Sequence, residues 1–260
     1  MRKVYQAFAF WGALLFATGA FAQDEARAIV EKAIQAQGGE ANVAKLRTMR
    51  IKVEGTAALI PGQPDLPFTI EDTWQMPTRY KTTSTFQLTG RKLIQTQVID
   101  GDRGWIRIDG QSQDLPKEAI TEMSEQKYAE DLDRLAFLKG RGIQLSALDE
   151  IKVDGRPAVG VIVKSGGHRD VKLYFDKESG LLLRQVRYIE TKVGTNPLQI
   201  DYKDYRAVNG VKLPYTWTVT WTNGQSTYEV REYQANAEID AAKFAKPAPA
   251  VVAPPKAVTQ

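Results

Sequence analysis

The chain has 260 residues, 35 lysines and arginines against 31 aspartates and glutamates, one histidine and no cysteine. Without thiols there is no disulfide framework, thiolate metal site or cysteine nucleophile, and one histidine cannot supply the convergent ligands of a zinc centre. The charges are interspersed, as in "DKESG" and "YKDYR", with no basic block suited to a phosphate backbone, so nucleic acid is not an expected partner.

The first residues read as an export signal. Arg2 and Lys3 precede the apolar run "VYQAFAFWGALLFATG", and Ala20 and Ala22 stand at the −3 and −1 positions of a cut before Gln23. An uncleaved membrane anchor is the competing reading; Gln6 interrupts the run, and a good cleavage site ends it. No later apolar run reaches spanning length. The expected organisation is a signal peptide over 1–22, one domain over 23–244 and a disordered Pro/Ala-rich tail over 245–260.

After the signal, "DEARAIVEKAIQAQGG" repeats apolar residues at three- and four-residue steps, predicting an amphipathic helix that closes at Gly38-Gly39. "EANVAKLRTM" adds a short second helix. From Thr48 the period changes to two. "MRIKVEGTAAL", "PFTIEDTWQM", "RYKTTSTFQL", "RKLIQTQVID" and a short strand in "DGDRGWIRIDG" follow as strands joined by Gly- and Pro-bearing turns. In the second of them Phe68, Ile70, Trp74 and Met76 share one face.

"LPKEAITEMSEQKYAEDLDRLAFLKGRG" then interrupts the strands. Its apolar residues Ile120, Met123, Tyr128, Leu132, Leu135 and Ala136 predict one long helix over 116–139, with its apolar stripe against the sheet. The second half returns to strands, from "QLSALDEIKV" to "STYEVREYQ". Among them, "VKLPYTWTVTW" places Val211, Leu213, Tyr215, Trp217, Val219 and Trp221 on one face. The class is β-rich α+β, with about eleven antiparallel strands, and a sheet that wide curls or closes.

Catalytic patterns are sparse. His168, in "KSGGHRD", is expected in a solvated turn, and there is no GxSxG elbow or nucleotide loop. Of the carboxylates, Glu71 and Asp72 fall on opposite faces of a strand, and Asp72 shares the face of Ile70 and Trp74; an ion pair at a rim or strand end is the plain reading for it. The expectation is therefore no enzyme, no cofactor and no metal. Trp74, Trp105, Trp217 and Trp221 each lie in a predicted strand, where they either pack a core or line a concave face.

Three segments, "YFDKESGLLLRQ", "IDYKDYRAVNGVKLPYTWTVTWTNG" and "YEVREYQANAEIDAAKFAKP", resemble the closing half of the LolA-like outer-membrane lipoprotein-sorting family, whose relatives include LolB and RseB-type sensors. The opening "AIQAQGGEANVAKLRTMRIKVEG" also resembles that family. The resemblance implies a half-open antiparallel barrel with a mid-chain plug or lid helix over an apolar cavity that accepts acyl chains. It implies a periplasmic address and a carrier or binding role for an acyl chain, lipid or lipoprotein, with a membrane-bound donor or acceptor protein as partner. The expected cavity liners are Leu213, Tyr215, Trp217, Val219 and Trp221, then Phe68, Ile70 and Trp74, with Ile120, Met123, Leu132 and Leu135 from the helix. The alternative is an envelope sensor or protein-interaction module whose core is filled by its own side chains. The family's lid-control arginine has Arg79, Arg91 and Arg107 as candidates by order alone, and none is carried over.

Overall fold

In the computed structural model the described residues are 12–59, 62–191 and 194–248, with side chains described from residue 23 onward. The start of the expected signal peptide and residues 249–260 of the expected tail lie outside them. No described helix is long and apolar enough to cross a membrane.

The first helix, α1, runs Gly12–Gln37 and is followed by the short α2, Glu40–Val43. Strands β1 Thr48–Ala58, β2 Leu66–Gln75, β3 Arg79–Leu88, β4 Arg91–Asp100, β5 Arg103–Ile108 and β6 Gln111–Asp114 form a meander. Helix α3, Lys117–Asp131, separates them from β7 Ile143–Val153, β8 Arg156–Ser165, β9 Val171–Asp176 and β10 Leu182–Thr191. The meander ends with β11 Gly194–Val208, β12 Val211–Trp221 and β13 Gly224–Ala235.

All thirteen strands among the described residues belong to one antiparallel sheet, in the order β6-β5-β4-β3-β2-β1-β13-β12-β11-β10-β9-β8-β7. Each strand pairs with its sequence neighbours, β1 pairs with β13, and the only break in this circuit is between β6 and β7. The molecule is a half-open barrel. Helix α3 leaves at that break and packs on β4 and β5 on one side and on β10 on the other, so it bridges the opening. The sheet has two strands more than the expected eleven, and β6, four polar residues with no apolar alternation, is one that the sequence reading passed over.

Helix α1 lies on β7, β8 and β12, and buries Ala26, Val30, Ala33 and Ile34. The main core joins these to Leu173, Phe175, Val161 and Val163 of the sheet. Gly38 ends α1 at φ 130°, and an added Cβ there would stand 2.1 Å from the carbonyl oxygen of Gly210. Backbone meets backbone, so neither side can give way. Gly38→Ala is expected to cost about 2 kcal/mol or more in urea unfolding.

The long helix expected over 116–139 is corrected by the structure. Helix α3 stops at Asp131, and two 3-10 turns follow, Leu132–Arg134 and Ala136–Lys139, separated by Leu135 at φ 35°. The reason is the leucine spacing. Side chains three apart eclipse one another in a 3-10 turn. Leu132, Leu135 and Leu138 are all buried, at 1%, 1% and 3% exposure, in the same core as α1.

The C-terminal segment straps the outer face. Ile239 and Phe244 pack with Val98 and Trp105, and the Trp105 indole donates to the Phe244 carbonyl at 2.9 Å. Trp105 is therefore a core residue beneath this strap.

Candidate functional site

Between the concave face of the sheet and α3 lies a cavity of about 430 Å³, within the range of small-ligand sites. Its sheet side is mostly apolar. Met49, Ile51 and Val53 enter from β1, Ile70 and Trp74 from β2, Leu198 and Ile200 from β11, and Leu213, Trp217 and Val219 from β12. Alternation along β2 also brings in Asp72 and turns Glu71 to the outer face, among Lys52, Lys81 and Glu232.

An aromatic chain closes one wall. Trp217 stacks on Tyr228 at 5.2 Å and 12°, and Tyr228 meets Phe68, which meets Phe86. Phe68 is 4% exposed and fills the space left by Gly55, so it sits behind the lining. Trp221 lies over Gly224 at the β12–β13 hairpin and packs against the main core. Tyr215 is held between the Arg206 guanidinium at 4.4 Å and the Tyr233 ring at 5.1 Å. Of the sheet residues expected from sequence, Leu213, Trp217, Val219, Ile70 and Trp74 line the cavity, while Tyr215, Trp221 and Phe68 stand beside it.

On the helix side the placement differs from the expected apolar stripe. Leu132 and Leu135 face the core shared with α1, Ile120 packs over Gly104 of β5, and Met123 is half-buried outside the lining. The residues that meet the cavity are Gln126, Lys127, Glu130, Asp131, Asp133 and Arg134. Positions 127, 130, 131 and 134 form a helical stripe of their own, offset from the leucines. Sequence reading assigns such a charged stripe to solvent.

These charges are organised. Lys127 Nζ reaches Glu130 at 2.8 Å, and Arg187 of β10 reaches the same carboxylate at 3.3 Å. Burial pushes the Glu130 carboxyl up, but the two cations outweigh it and hold it down at about 2. The open surface of Glu130 faces the cavity, which is why a partly exposed group still feels burial. Arg134 pairs with Asp131 at 3.0 Å and stacks on the Trp74 ring at 3.6 Å. Tyr80 donates to Asp131 at 2.7 Å, and burial pushes the Asp131 carboxyl up despite the Arg134 charge.

Asp133 accepts from Tyr202 and from Gln185, each at 2.5 Å, and burial pushes it to about 7 in spite of the Tyr202 hydrogen bond and the Arg187 charge. Asp72 is also pushed up by burial, against the pull of Lys127, and one of its buried oxygens has no hydrogen-bond partner.

His168 lies exposed in the β8–β9 turn, as expected, and it also takes part in the helix anchorage. His168 stacks on Tyr128 at 3.6 Å, and its Nδ1 lies 3.0 Å from Glu125. Glu125 also accepts from the Arg169 backbone, and Arg169 pairs with Glu122. Polar contacts to the β8–β9 turn thus fix the outer side of α3, while Arg187 and Gln185 fix its inner side. Among the described residues no group of three or more His, Asp or Glu is placed to hold a metal ion.

A half-open antiparallel barrel with an apolar concave wall and a helix across its mouth defines the LolA-like fold class. Solved structures agree. The chain is similar to a LolA superfamily protein from Nitrosomonas europaea, with TM-score 0.57 and 12% identity over 85% of this chain and 97% of that one. It is similar to a DUF1329 family protein from Desulfovibrio piger, with TM-score 0.57 and 11% identity over the same shares. A candidate outer-membrane lipoprotein-sorting domain from Vibrio parahaemolyticus gives TM-score 0.54 and 10% identity, again over 85% and 97%. At these identities the likeness establishes the fold. No protein-family model and no curated protein matches the chain.

Proposed function

We propose that the protein is an exported, non-catalytic carrier or binding protein for an acylated or lipidic ligand. The observation that carries this reading is the cavity of about 430 Å³ between α3 and the apolar concave face, lined by Trp217, Val219, Ile70 and Leu213. Burial of acyl methylenes against that wall supplies roughly 0.8 kcal/mol for each CH₂. Support comes from the shared fold with a LolA superfamily protein and from the signal-like first 22 residues. Lipoprotein transfer between membrane-bound partners is the finer form of the same role.

Trp217 and Trp74 both line the cavity, so ligand entry is expected to change tryptophan emission. Titration with a fluorescent fatty-acid probe should quench it saturably. Trp217→Ala is expected to weaken the probe about tenfold, since a ring packed on Tyr228 is lost from the wall. A folded protein that takes up no probe, and carries no lipid mass when purified from its own cell envelope, would overturn the carrier reading.

A further inference from the structure

The carboxylates of the cavity are unequally partnered. Three cations line it, Lys127, Arg134 and Arg187, and each already has a carboxylate: Glu130 at 2.8 Å, Asp131 at 3.0 Å and Glu130 at 3.3 Å. Four carboxylates line it. Two of them, Asp72 and Asp133, have no cation in ion-pair contact. Asp133 is served by the neutral donors Tyr202 and Gln185. Asp72 has the Thr82 hydroxyl and the more distant Lys127 charge, and its other oxygen, closed off with under 1 Å² of surface, takes no hydrogen bond.

A buried carboxylate without full compensation is costly, and such groups in native proteins call for a reason. The rest of the cavity shows that compensation was available to this chain. Glu130 collects two cations, and Asp131 collects Arg134 and the Tyr80 hydroxyl. Asp72 stands on the same strand face as Ile70 and Trp74, so it lies within the apolar wall and across the cavity from α3. An anionic head group entering here meets only cations that are already paired. A cationic head group meets Asp72, which no cation contacts.

We infer that the cavity selects an amphiphile with a single positively charged, N–H-bearing head, an ammonium group, which takes Asp72 as its counter-ion while its alkyl chain lies on the Trp217–Val219 wall. This rests on the carrier reading above and adds the charge of the ligand to it. An ammonium N–H donates to the Asp72 carboxylate where it lines the cavity, and its charge compensates a carboxylate that no cation contacts. The Lys127–Glu130–Arg187 bridge stays intact, so α3 keeps its anchorage with ligand inside.

The test compares three twelve-carbon probes below their micelle thresholds on the full folded chain: dodecylammonium, dodecanol and dodecanoate. Dodecylammonium is expected to bind about tenfold more tightly than dodecanol, the scale of one charge-assisted hydrogen bond, with dodecanoate the weakest. In Asp72→Asn the ratio of ammonium to alcohol affinity is expected to fall to about one, read by calorimetry and tryptophan emission. Dodecanoate binding as tightly as dodecylammonium, or an ammonium preference that persists in Asp72→Asn, overturns the inference and leaves the carrier reading standing. Absence of binding by all three overturns the carrier reading and this inference with it. The ranking in the unsubstituted protein is decisive by itself if Asp72→Asn does not fold.

Discussion

Between pH 4 and pH 8 the stability of the native chain is expected to fall by up to about 4 kcal/mol relative to an Asp133→Asn variant. The folded protein holds a proton on Asp133 up to about pH 7, whereas the unfolded chain releases it near the ordinary carboxylate value of 3.8. Over that interval the folded state binds more protons, so raising the pH favours unfolding. Each unit of difference is worth about 1.4 kcal/mol, and the interval spans roughly three units. Burial is the dominant cause, with Glu130 adding to it, while Tyr202, Arg187 and Arg134 pull the other way. Glu130 has the opposite sign: its carboxyl is held at about 2, so its contribution is intact at neutral pH and is lost only in strong acid. Urea unfolding of both proteins at unit steps of pH measures the difference directly. Parallel curves would mean that Asp133 is ionised throughout.

Arg187→Ala is expected to cost about 3 kcal/mol and to loosen α3 before the rest of the fold. Arg187 is 6% exposed, and donates to the Gln126 carbonyl at 3.1 Å and to Glu130 at 3.3 Å. Truncation strands both acceptors in a poorly hydrated place, which ordinarily costs 3 to 5 kcal/mol; the lower end applies, as Glu130 retains Lys127. The contrast is Leu173→Ala, which opens a hole in the main core and costs about 2 to 5 kcal/mol without touching the helix anchorage. Hydrogen exchange separates the two. In Arg187→Ala the amides of α3 should exchange faster than those of β9 and β10, and in Leu173→Ala the loss should be global. Uniform loss in both variants would show that the ionic bridge does not hold the helix.

Most of the frame is legible from strand alternation. Ile70, Asp72 and Trp74 read as one face of a strand, and the structure puts all three on the cavity wall. Leu213, Trp217 and Val219 do likewise. Period-two patterns survive folding because the pleat leaves no other choice. Tyr215 departs from its neighbours beside a local irregularity in the paired strand, where Asp204 has φ 54° and Tyr202 and Tyr205, three apart, both reach the cavity. Alternation cannot announce such a position.

The helix was harder to read for a different reason. Its segment carries two stripes of similar spacing, one of leucines and one of charges. The usual assumption buries the first and hydrates the second. Here the leucines bind α1 and the far half of the sheet, and the charges turn inward because Arg187, Gln185, Tyr202 and Tyr80 wait for them on the strands. Those partners lie about fifty to seventy residues away in sequence. Only the fold brings them together.

The junction of β1 with β13 governs how the barrel can be made. Met49 pairs with Ala235 in the middle of the sheet, so the strand formed first waits for the strand formed last. The two meanders on either side of α3 can each zip up locally, but they are sewn into one sheet only by that long-range seam. Contacts so far apart in sequence make folding slow, and a chain released before β13 is complete exposes both faces of the seam as open edges. In a chain with this wiring the two halves join into one sheet only once β13 is available to β1.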